Sequence, residues 1–219
     1  MKQTEIAERK VWLHQTTERP EWVIIQPVDE HDQQGLDEEI DWLSSHSTVS
    51  YTLVAFRIND WNVELSPWKA PAVFGSEDFG EGASKTLCYV LDELIPRFKG
   101  NRYCLGGYSL AGLFALWAGY QTERFEGIAA ASPSVWYPQW IDYASENRPF
   151  AKSIYLSLGD KEEKAKNPVM AQVGNAIRKQ HELLAEQKIN NILEWNAGNH
   201  FVDSDKRTAK GFSWVMNSL

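Results

Sequence analysis

Short apolar runs of strand length alternate along the chain with longer segments whose apolar residues recur at helical spacing. The apolar runs predict strands at residues 11–13, 22–26, 52–58, 103–105, 127–131, 153–158 and 192–195. Strands that alternate with helical crossovers form sheets covered on both faces, so the pattern predicts an α/β fold with a mostly parallel central sheet. The first two runs are candidates for an antiparallel edge.

Four further segments carry helical patterns. Residues 83–98 place their apolar side chains on one face, and Gly100 follows where this helix should end. Residues 110–120 are apolar almost all round, as expected of a helix buried against a sheet. A third helix is predicted to begin at Asn167 and Pro168, and a last one to run from about Ser204 to the end of the chain.

The composition favours one domain over residues 1–219. The chain has 219 residues and 43% hydrophobic content, and no repeat or flexible linker divides it. Its net charge of −8, without a run of Lys or Arg, argues against nucleic acid and anionic membranes as partners and favours a small neutral or cationic ligand. The sequence does not indicate an oligomeric state.

The chain lacks the long apolar stretch of a membrane span and the apolar core of a leader peptide. Its two cysteines, Cys88 and Cys104, lie in apolar segments without metal-ligand spacing, and we expect both to be buried thiols. This usage favours a protein of the reducing cytoplasm.

Ser109 lies between Gly107 and Ala111, at the junction of an apolar strand and an apolar helix. A serine exposed on such a sharp turn needs small residues on either side and a strained backbone, which is the geometry of a nucleophile turn. The backbone N–H of Leu110 would then stabilise a developing oxyanion at the helix N-terminus. The alternative interpretation is an ordinary serine that caps a helix.

A serine nucleophile needs a base, and His200 is the best candidate. It follows the last predicted strand, at the edge where α/β sheets collect their functional loops, and it comes after the serine as hydrolase chain order requires. The orienting acid should follow the preceding strand, where Asp160, Glu162 and Glu163 are all available. Residue patterns alone do not choose among the three.

These segments together resemble the esterase D and enterochelin-esterase-related branch of the α/β-hydrolases, which includes feruloyl-type esterases. The resemblance spans nearly the whole chain and rests on residues 59–62, 65–68, 107–112, 132–136, 158–162 and 198–201. It implies an α/β-hydrolase fold without a large lid domain, and Glu162 as the acid, with Asp160 as second choice. A glutamate departs from the commonest triad, and some relatives use a Ser-His dyad. The resemblance also implies a second oxyanion donor at Trp61, or at Asp60 beside it.

The sequence therefore predicts a serine hydrolase that cleaves a carboxylic ester of a small soluble substrate through an acyl-enzyme, without metal or organic cofactor. Tyr108, Trp68 and Trp136 are the candidate substrate-binding residues, since aromatic side chains in long connections can line a ligand site. The alternative is that the tryptophans pack these connections onto the domain. Trp140 falls in the same connections. The same site would also serve a thioesterase, acyltransferase or peptidase, and a degenerate hydrolase fold that only binds a ligand remains the alternative.

Overall fold

The computed structural model describes residues 1–100 and 102–219. Its eight strands form one sheet in the order β1-β2-β4-β3-β5-β6-β7-β8. The strands are β1 (Lys2–Ile6), β2 (Arg9–Gln15), β3 (Trp22–Val28), β4 (Tyr51–Arg57), β5 (Arg102–Tyr108), β6 (Gly127–Ala131), β7 (Ser153–Gly159) and β8 (Asn190–Asn196). Strands β3 to β8 are mutually parallel, so the predicted α/β-hydrolase fold with a mostly parallel sheet is confirmed.

The antiparallel edge differs from the expectation. It consists of β1 and β2, and β2 also pairs antiparallel with β4. The second predicted strand, β3, lies inside the sheet, parallel to both β4 and β5. Strand β1 escaped prediction because most of its residues are exposed, as befits an edge strand, and so it carries no apolar run.

Within the described residues, eight α-helices connect and cover the strands. They are α1 (Glu30–Gln34), α2 (Leu36–His46), α3 (Trp61–Glu64), α4 (Ala83–Tyr89), α5 (Leu110–Gly119), α6 (Trp140–Glu146), α7 (Val173–Glu186) and α8 (Ser204–Asn217). A π-helical turn, Val90–Leu94, continues α4, and 3₁₀ turns lie at Glu162–Lys164 and Met170–Gln172. No large lid domain is evident among the described residues.

The core lies on both sides of the sheet. Helices α2 and α8 pack on one face, while α5 and α7 are part of the larger core on the other. All ten residues of α5 are buried, which explains why its sequence is apolar all round. The two covered faces account for the near-continuous apolar sequences of the central strands.

Two local expectations were wrong. The third helix begins at Val173 rather than at Asn167, because Asn167 first caps a 3₁₀ turn by accepting hydrogen bonds from the backbone N–H groups of Val169 and Met170. Cys88 is exposed, on the solvent side of α4, and only Cys104 is buried. The one-domain assignment stays a prediction, and no helix of the described residues is long and apolar enough to cross a membrane.

Candidate active site

Four neighbouring strands of the parallel sheet end at the candidate site. Ser109 directly follows β5, Ser132 follows β6, Glu162 comes three residues after the end of β7, and His200 comes four residues after the end of β8. Since the carboxyl ends of parallel strands meet at one edge of the sheet, residues far apart in sequence converge there. The register pairs Tyr108 with Ala131 and Gly159 with Asn196, which brings the four loops side by side.

Ser109 has the backbone conformation of a nucleophile turn. Its φ of 57° and ψ of −119° place it in a region that non-glycine residues rarely adopt. The turn is held by two hydrogen bonds, from Ser109 N–H to the Ala131 carbonyl (3.1 Å) and from Ser134 N–H to the Ser109 carbonyl (3.0 Å). A Cβ on Gly107 would stand 2.6 Å from the Cβ of Ala111, so the close approach of these two positions requires a glycine.

A hydrogen-bonded chain joins the serine, the histidine and one acid. His200 Nε2 lies 3.0 Å from Ser109 Oγ, and His200 Nδ1 lies 2.7 Å from Glu162 Oε2. The second Ser109 contact is Ser134 Oγ, at 3.3 Å. The distances on both sides of the imidazole fall in the range of ordinary hydrogen bonds, which is the arrangement that proton transfer from a serine to a base requires.

The two other acids of the cluster have different partners. Asp160 accepts a hydrogen bond from the backbone N–H of Gly198 (2.8 Å), so it connects the loop after β7 to the loop that carries His200. Glu163 pairs with Arg178 at 2.9 Å. Of the three candidates that the sequence left open, the structure brings only Glu162 to the imidazole.

The second carboxylate oxygen of Glu162 accepts three hydrogen bonds. The donors are the backbone N–H of Gly159 (2.7 Å), the hydroxyl of Ser132 (2.8 Å) and the guanidinium of Arg207 (3.1 Å). Glu162 is 7% exposed and Arg207 is 2% exposed, so their ion pair is screened little by solvent. The three donors fix the carboxylate plane and leave Oε2 directed at His200.

Arg207, on α8, contacts the end of β5 and the loops after β6, β7 and β8. Besides Glu162 and Ser132, it donates to the hydroxyl of Tyr108 (3.0 Å) and to the carbonyl of Ala197 (3.0 Å). Arg207 was not among the site residues predicted from the sequence. The sequence did contain an indication of its role: Arg207 lies on the same helix face as Gly211 and Val215, which are buried, and an arginine on a buried face usually has a specific partner.

Tyr108 holds the backbone of His200 through a hydrogen bond. Its hydroxyl donates a 2.8 Å hydrogen bond to the backbone carbonyl of His200. Burial, followed by the charge of Glu162, raises the pKa of Tyr108 to about 12, so this hydroxyl keeps its proton at any physiological pH. Tyr108 also lines the cavity next to Ser109.

Two backbone N–H groups near Ser109 lack partners among the described residues. Leu110 and Trp61 are the first residues of α5 and α3, and neither N–H makes a hydrogen bond there. Trp61 lines the cavity that contains Ser109 and His200. The neighbouring N–H of Asp60 donates to Glu64 Oε1 (2.9 Å), which leaves Trp61 as the better placed of the two sequence candidates.

Two cavities flank His200. The smaller, of about 180 Å³, contains Ser109 and Trp61, and the larger, of about 390 Å³, is lined on one side by Trp136. Trp68 lines neither: it packs in an aromatic cluster with Tyr137, Trp140 and Tyr143, and its indole N–H donates to the Pro138 carbonyl (3.0 Å). Trp140 is fully buried.

The strand order and the loops that carry these groups define the α/β-hydrolase fold. No family model matches the sequence, and no curated protein matches it. In structure the chain is similar to an IroE-like serine hydrolase from Shewanella oneidensis, with a TM-score of 0.77 and 15% identity over 94% of this chain and 74% of the other.

Two further solved structures show the same fold. The siderophore hydrolase EstA from Aspergillus nidulans has a TM-score of 0.70 and 16% identity, over 96% of this chain and 90% of the other. The enterobactin esterase FES from Shigella flexneri has a TM-score of 0.66 and 18% identity, over 96% of this chain but only 56% of the esterase. These solved structures thus share the fold that the sequence motifs imply.

Proposed function

We propose that the protein is a serine esterase that hydrolyses a carboxylic ester through Ser109, His200 and Glu162. The hydrogen-bonded chain from Ser109 Oγ through the His200 imidazole to a buried carboxylate is the observation that carries this proposal. A serine that only capped a helix would need neither the strained turn nor the histidine.

The proposed reaction has two halves. Ser109 Oγ attacks the ester carbonyl while His200 Nε2 takes its proton, and Glu162 stabilises the resulting imidazolium. The N–H groups of Leu110 and Trp61 bind the oxyanion, each contributing about 10²- to 10³-fold in rate. His200 then protonates the leaving alcohol, the acyl-enzyme forms, and water, deprotonated by His200, releases the acid and restores the serine.

The substrate that the site fits best is a small ester. The cavities of about 180 and 390 Å³ on either side of His200 provide room for groups of modest size, with Trp136 as an aromatic wall. Siderophore esters enter as candidates because structural relatives are described as a siderophore hydrolase and an enterobactin esterase. A thioester, an amide or an acceptor alcohol in place of water would use the same acyl-enzyme, so a panel of aryl, alkyl, acetylated-sugar and thioester substrates identifies the acyl and leaving groups.

The cellular setting belongs to the same proposal. An exposed thiol at Cys88 and a buried thiol at Cys104, both unpaired, are compatible with a reducing compartment such as the cytoplasm. The net charge of −8 supports a small-molecule partner rather than nucleic acid or an anionic membrane.

Labelling with a fluorophosphonate probe tests the proposal. The folded protein is expected to be modified at Ser109, and Ser109→Ala and His200→Ala are each expected to lower kcat for p-nitrophenyl butyrate by about 10⁴-fold or more, because both groups act in the same step. His181→Ala is the matched control, since His181 lies on α7 with Asn191 as its hydrogen-bond partner. A folded wild-type protein that the probe does not modify would instead be a ligand-binding protein with a hydrolase fold.

A further inference from the structure

A third cavity adjoins the candidate active site behind Tyr108. It has a volume of about 310 Å³ and lies between the end of β3, helices α1 and α2, and the start of α8. His31, Asp32, Tyr108 and Ser204 line both this cavity and the smaller cavity at Ser109. The third cavity therefore borders directly on the cavity that contains Ser109.

The walls of this cavity are strongly acidic. Asp32, Glu38, Glu39 and Asp205 line it, His31 is its one basic group, and no Lys or Arg of the described residues takes part. Asp29 adds a further carboxylate at the boundary with Ser109. An electronegative cavity next to a nucleophile selects for positively charged substrates and raises their local concentration.

One carboxyl oxygen of Glu39 is buried without a hydrogen-bond partner in the part of the chain that the structure describes, which is a second and independent observation about this cavity. The side chain of Glu39 is 3% exposed; Oε2 accepts a hydrogen bond from Gln26 (2.9 Å), but Oε1 has no partner among the described residues. Buried carboxylate oxygens are normally paired, because an unpaired one forgoes hydrogen bonds that it would make in water. Both Glu39 and Gln26 belong to the cavity wall, so a group bound in the cavity lies next to this incompletely paired carboxyl group.

Two of the acids that line the cavity have raised pKa values. Burial raises the pKa of Glu39 to about 8, with Asp32 and Asp205 adding to the effect. Burial and then Asp29 raise the pKa of Asp32 to about 6, while the nearby His31 and His200 act in the opposite direction. A bound positive charge would relieve the repulsion among these carboxyl groups and stabilise their ionised forms.

We propose that the third cavity binds a hydrogen-bonding organic cation, a primary ammonium or guanidinium group, carried by the acyl or the alcohol part of the ester. The proposal rests on the proposed esterase function and names its substrate class. Such a cation faces the carboxylates of Asp32 and Asp205, and its charge favours the ionised form of Glu39, which can then accept a hydrogen bond from it. No three carboxyl or imidazole groups among the described residues converge in the way that a metal ion needs, and the volume suits a group of several heavy atoms.

Isosteric ester pairs that differ only in charge test this inference. On the acyl side, p-nitrophenyl 6-guanidinohexanoate is compared with the 6-ureido ester, and on the alcohol side 4-guanidinobutyl butyrate is compared with the 4-ureidobutyl ester. In at least one pair kcat/KM is expected to be about ten- to hundredfold higher for the cation, as for hydrogen bonds between charged groups. The ratio within each pair cancels effects on the chemical step.

Variants locate the selectivity. Glu39→Gln keeps the shape of the side chain and a partner for Gln26, and is expected to lower the cation-to-neutral ratio about tenfold. Asp205→Asn is the second variant, in case Glu39→Gln destabilises the fold. The matched control is Asp41→Asn, which removes one exposed carboxylate from the same helix, α2, without touching the cavity, and should leave the ratio unchanged.

The outcomes separate the two proposals. Equal kcat/KM values within both pairs, or a ratio that neither cavity variant lowers, would overturn the cation site while leaving the esterase intact. Absence of turnover for all four esters together with no fluorophosphonate labelling of Ser109 would overturn the esterase itself. In that case, tighter equilibrium binding of the guanidino than of the ureido compound, lost in Glu39→Gln, would still support the cation site.

Discussion

Replacing Glu162 with glutamine is the sharpest test of how the site works. Gly159 N–H and the Arg207 guanidinium can only donate, and the Ser132 hydroxyl also donates to Oε1, so this position needs an acceptor oxygen. The glutamine must therefore place its carbonyl oxygen there and direct its NH₂ group at His200 Nδ1. Nδ1 then has to accept a hydrogen bond, which moves the ring proton to Nε2, where it faces Ser109 Oγ.

A histidine in this tautomer cannot take the serine proton, so the loss is expected to be large. In the serine-protease triad the corresponding acid-to-amide change lowers kcat about 10⁴-fold, and here about 10³- to 10⁴-fold is expected, which is roughly 4–5.5 kcal/mol in activation free energy. The side chain keeps its size and an acceptor oxygen for Arg207, but the buried guanidinium loses its counter-ion, so the free energy of unfolding is expected to fall as well and the activity is measured on protein shown to be folded.

The assay is steady-state hydrolysis of p-nitrophenyl butyrate, with thermal unfolding as a measure of folding. Asp160→Asn is the matched control: it lies two residues away in the same loop, and its carboxylate bonds Gly198 N–H rather than the imidazole. A loss of less than about tenfold is expected, since an amide oxygen can accept the same hydrogen bond. If Glu162→Gln kept more than a tenth of the activity, or lost less than Asp160→Asn, the assignment of the acid would be wrong.

Three further substitutions probe the surroundings. Arg207→Met is expected to lower the free energy of unfolding by about 3–5 kcal/mol, because the variant leaves Glu162 charged and buried without its partner. Urea unfolding measures this loss. Lys206→Met is the control, since Lys206 is an exposed neighbour, and its free energy of unfolding should equal that of the wild-type protein. Gly107→Ala should lower the free energy of unfolding by about 1–3 kcal/mol, because the new methyl group clashes with Ala111. If the double variant with Ala111→Gly were no more stable than Gly107→Ala, this clash would not be the cause. The pKa of Glu39 is about 8 in the folded protein, compared with an ordinary value of 4.5. Between these two pH values the unfolded chain loses the proton of Glu39 while the folded protein keeps it. The free energy of unfolding therefore falls as pH rises, by at most ~5 kcal/mol. The difference in the free energy of unfolding between pH 5 and pH 8 should be smaller for Glu39→Gln than for the wild-type protein. An equal difference in both proteins would contradict the argument that burial raises the pKa of Glu39.

The parts of the fold that follow from local sequence were predictable. The buried parallel strands are continuous apolar runs, and α5 is apolar on every side, so both have a strong signal. Strand β1 and the placement of β3 inside the sheet were not predictable, since the pairing partners of a strand depend on contacts between distant segments. The late start of α7 reflects competition between Asn167 capping a 3₁₀ turn and capping the helix itself.

Some residues of the candidate site were likewise predictable from local sequence, and others were not. Ser109 and His200 were predicted from short motifs and chain order, because each stands at a strand end with its own local signature, and the structure brings the two side chains together. The choice among Asp160, Glu162 and Glu163 needed the loop conformation, which decides where each carboxylate points. Arg207 had a weak local signal, and its four loop partners are visible only once the sheet is assembled.

The position of Arg207 also bears on when the site is completed during synthesis. Ser109 is synthesised before Arg207, the residue of α8 that joins the end of β5 to the loops after β6, β7 and β8. Until α8 docks against the sheet, the Glu162 carboxylate lacks its counter-ion and the loop of His200 lacks one of its anchors. In a nascent chain the serine turn therefore exists before the proposed acid and base are held in place, and α8 completes the arrangement.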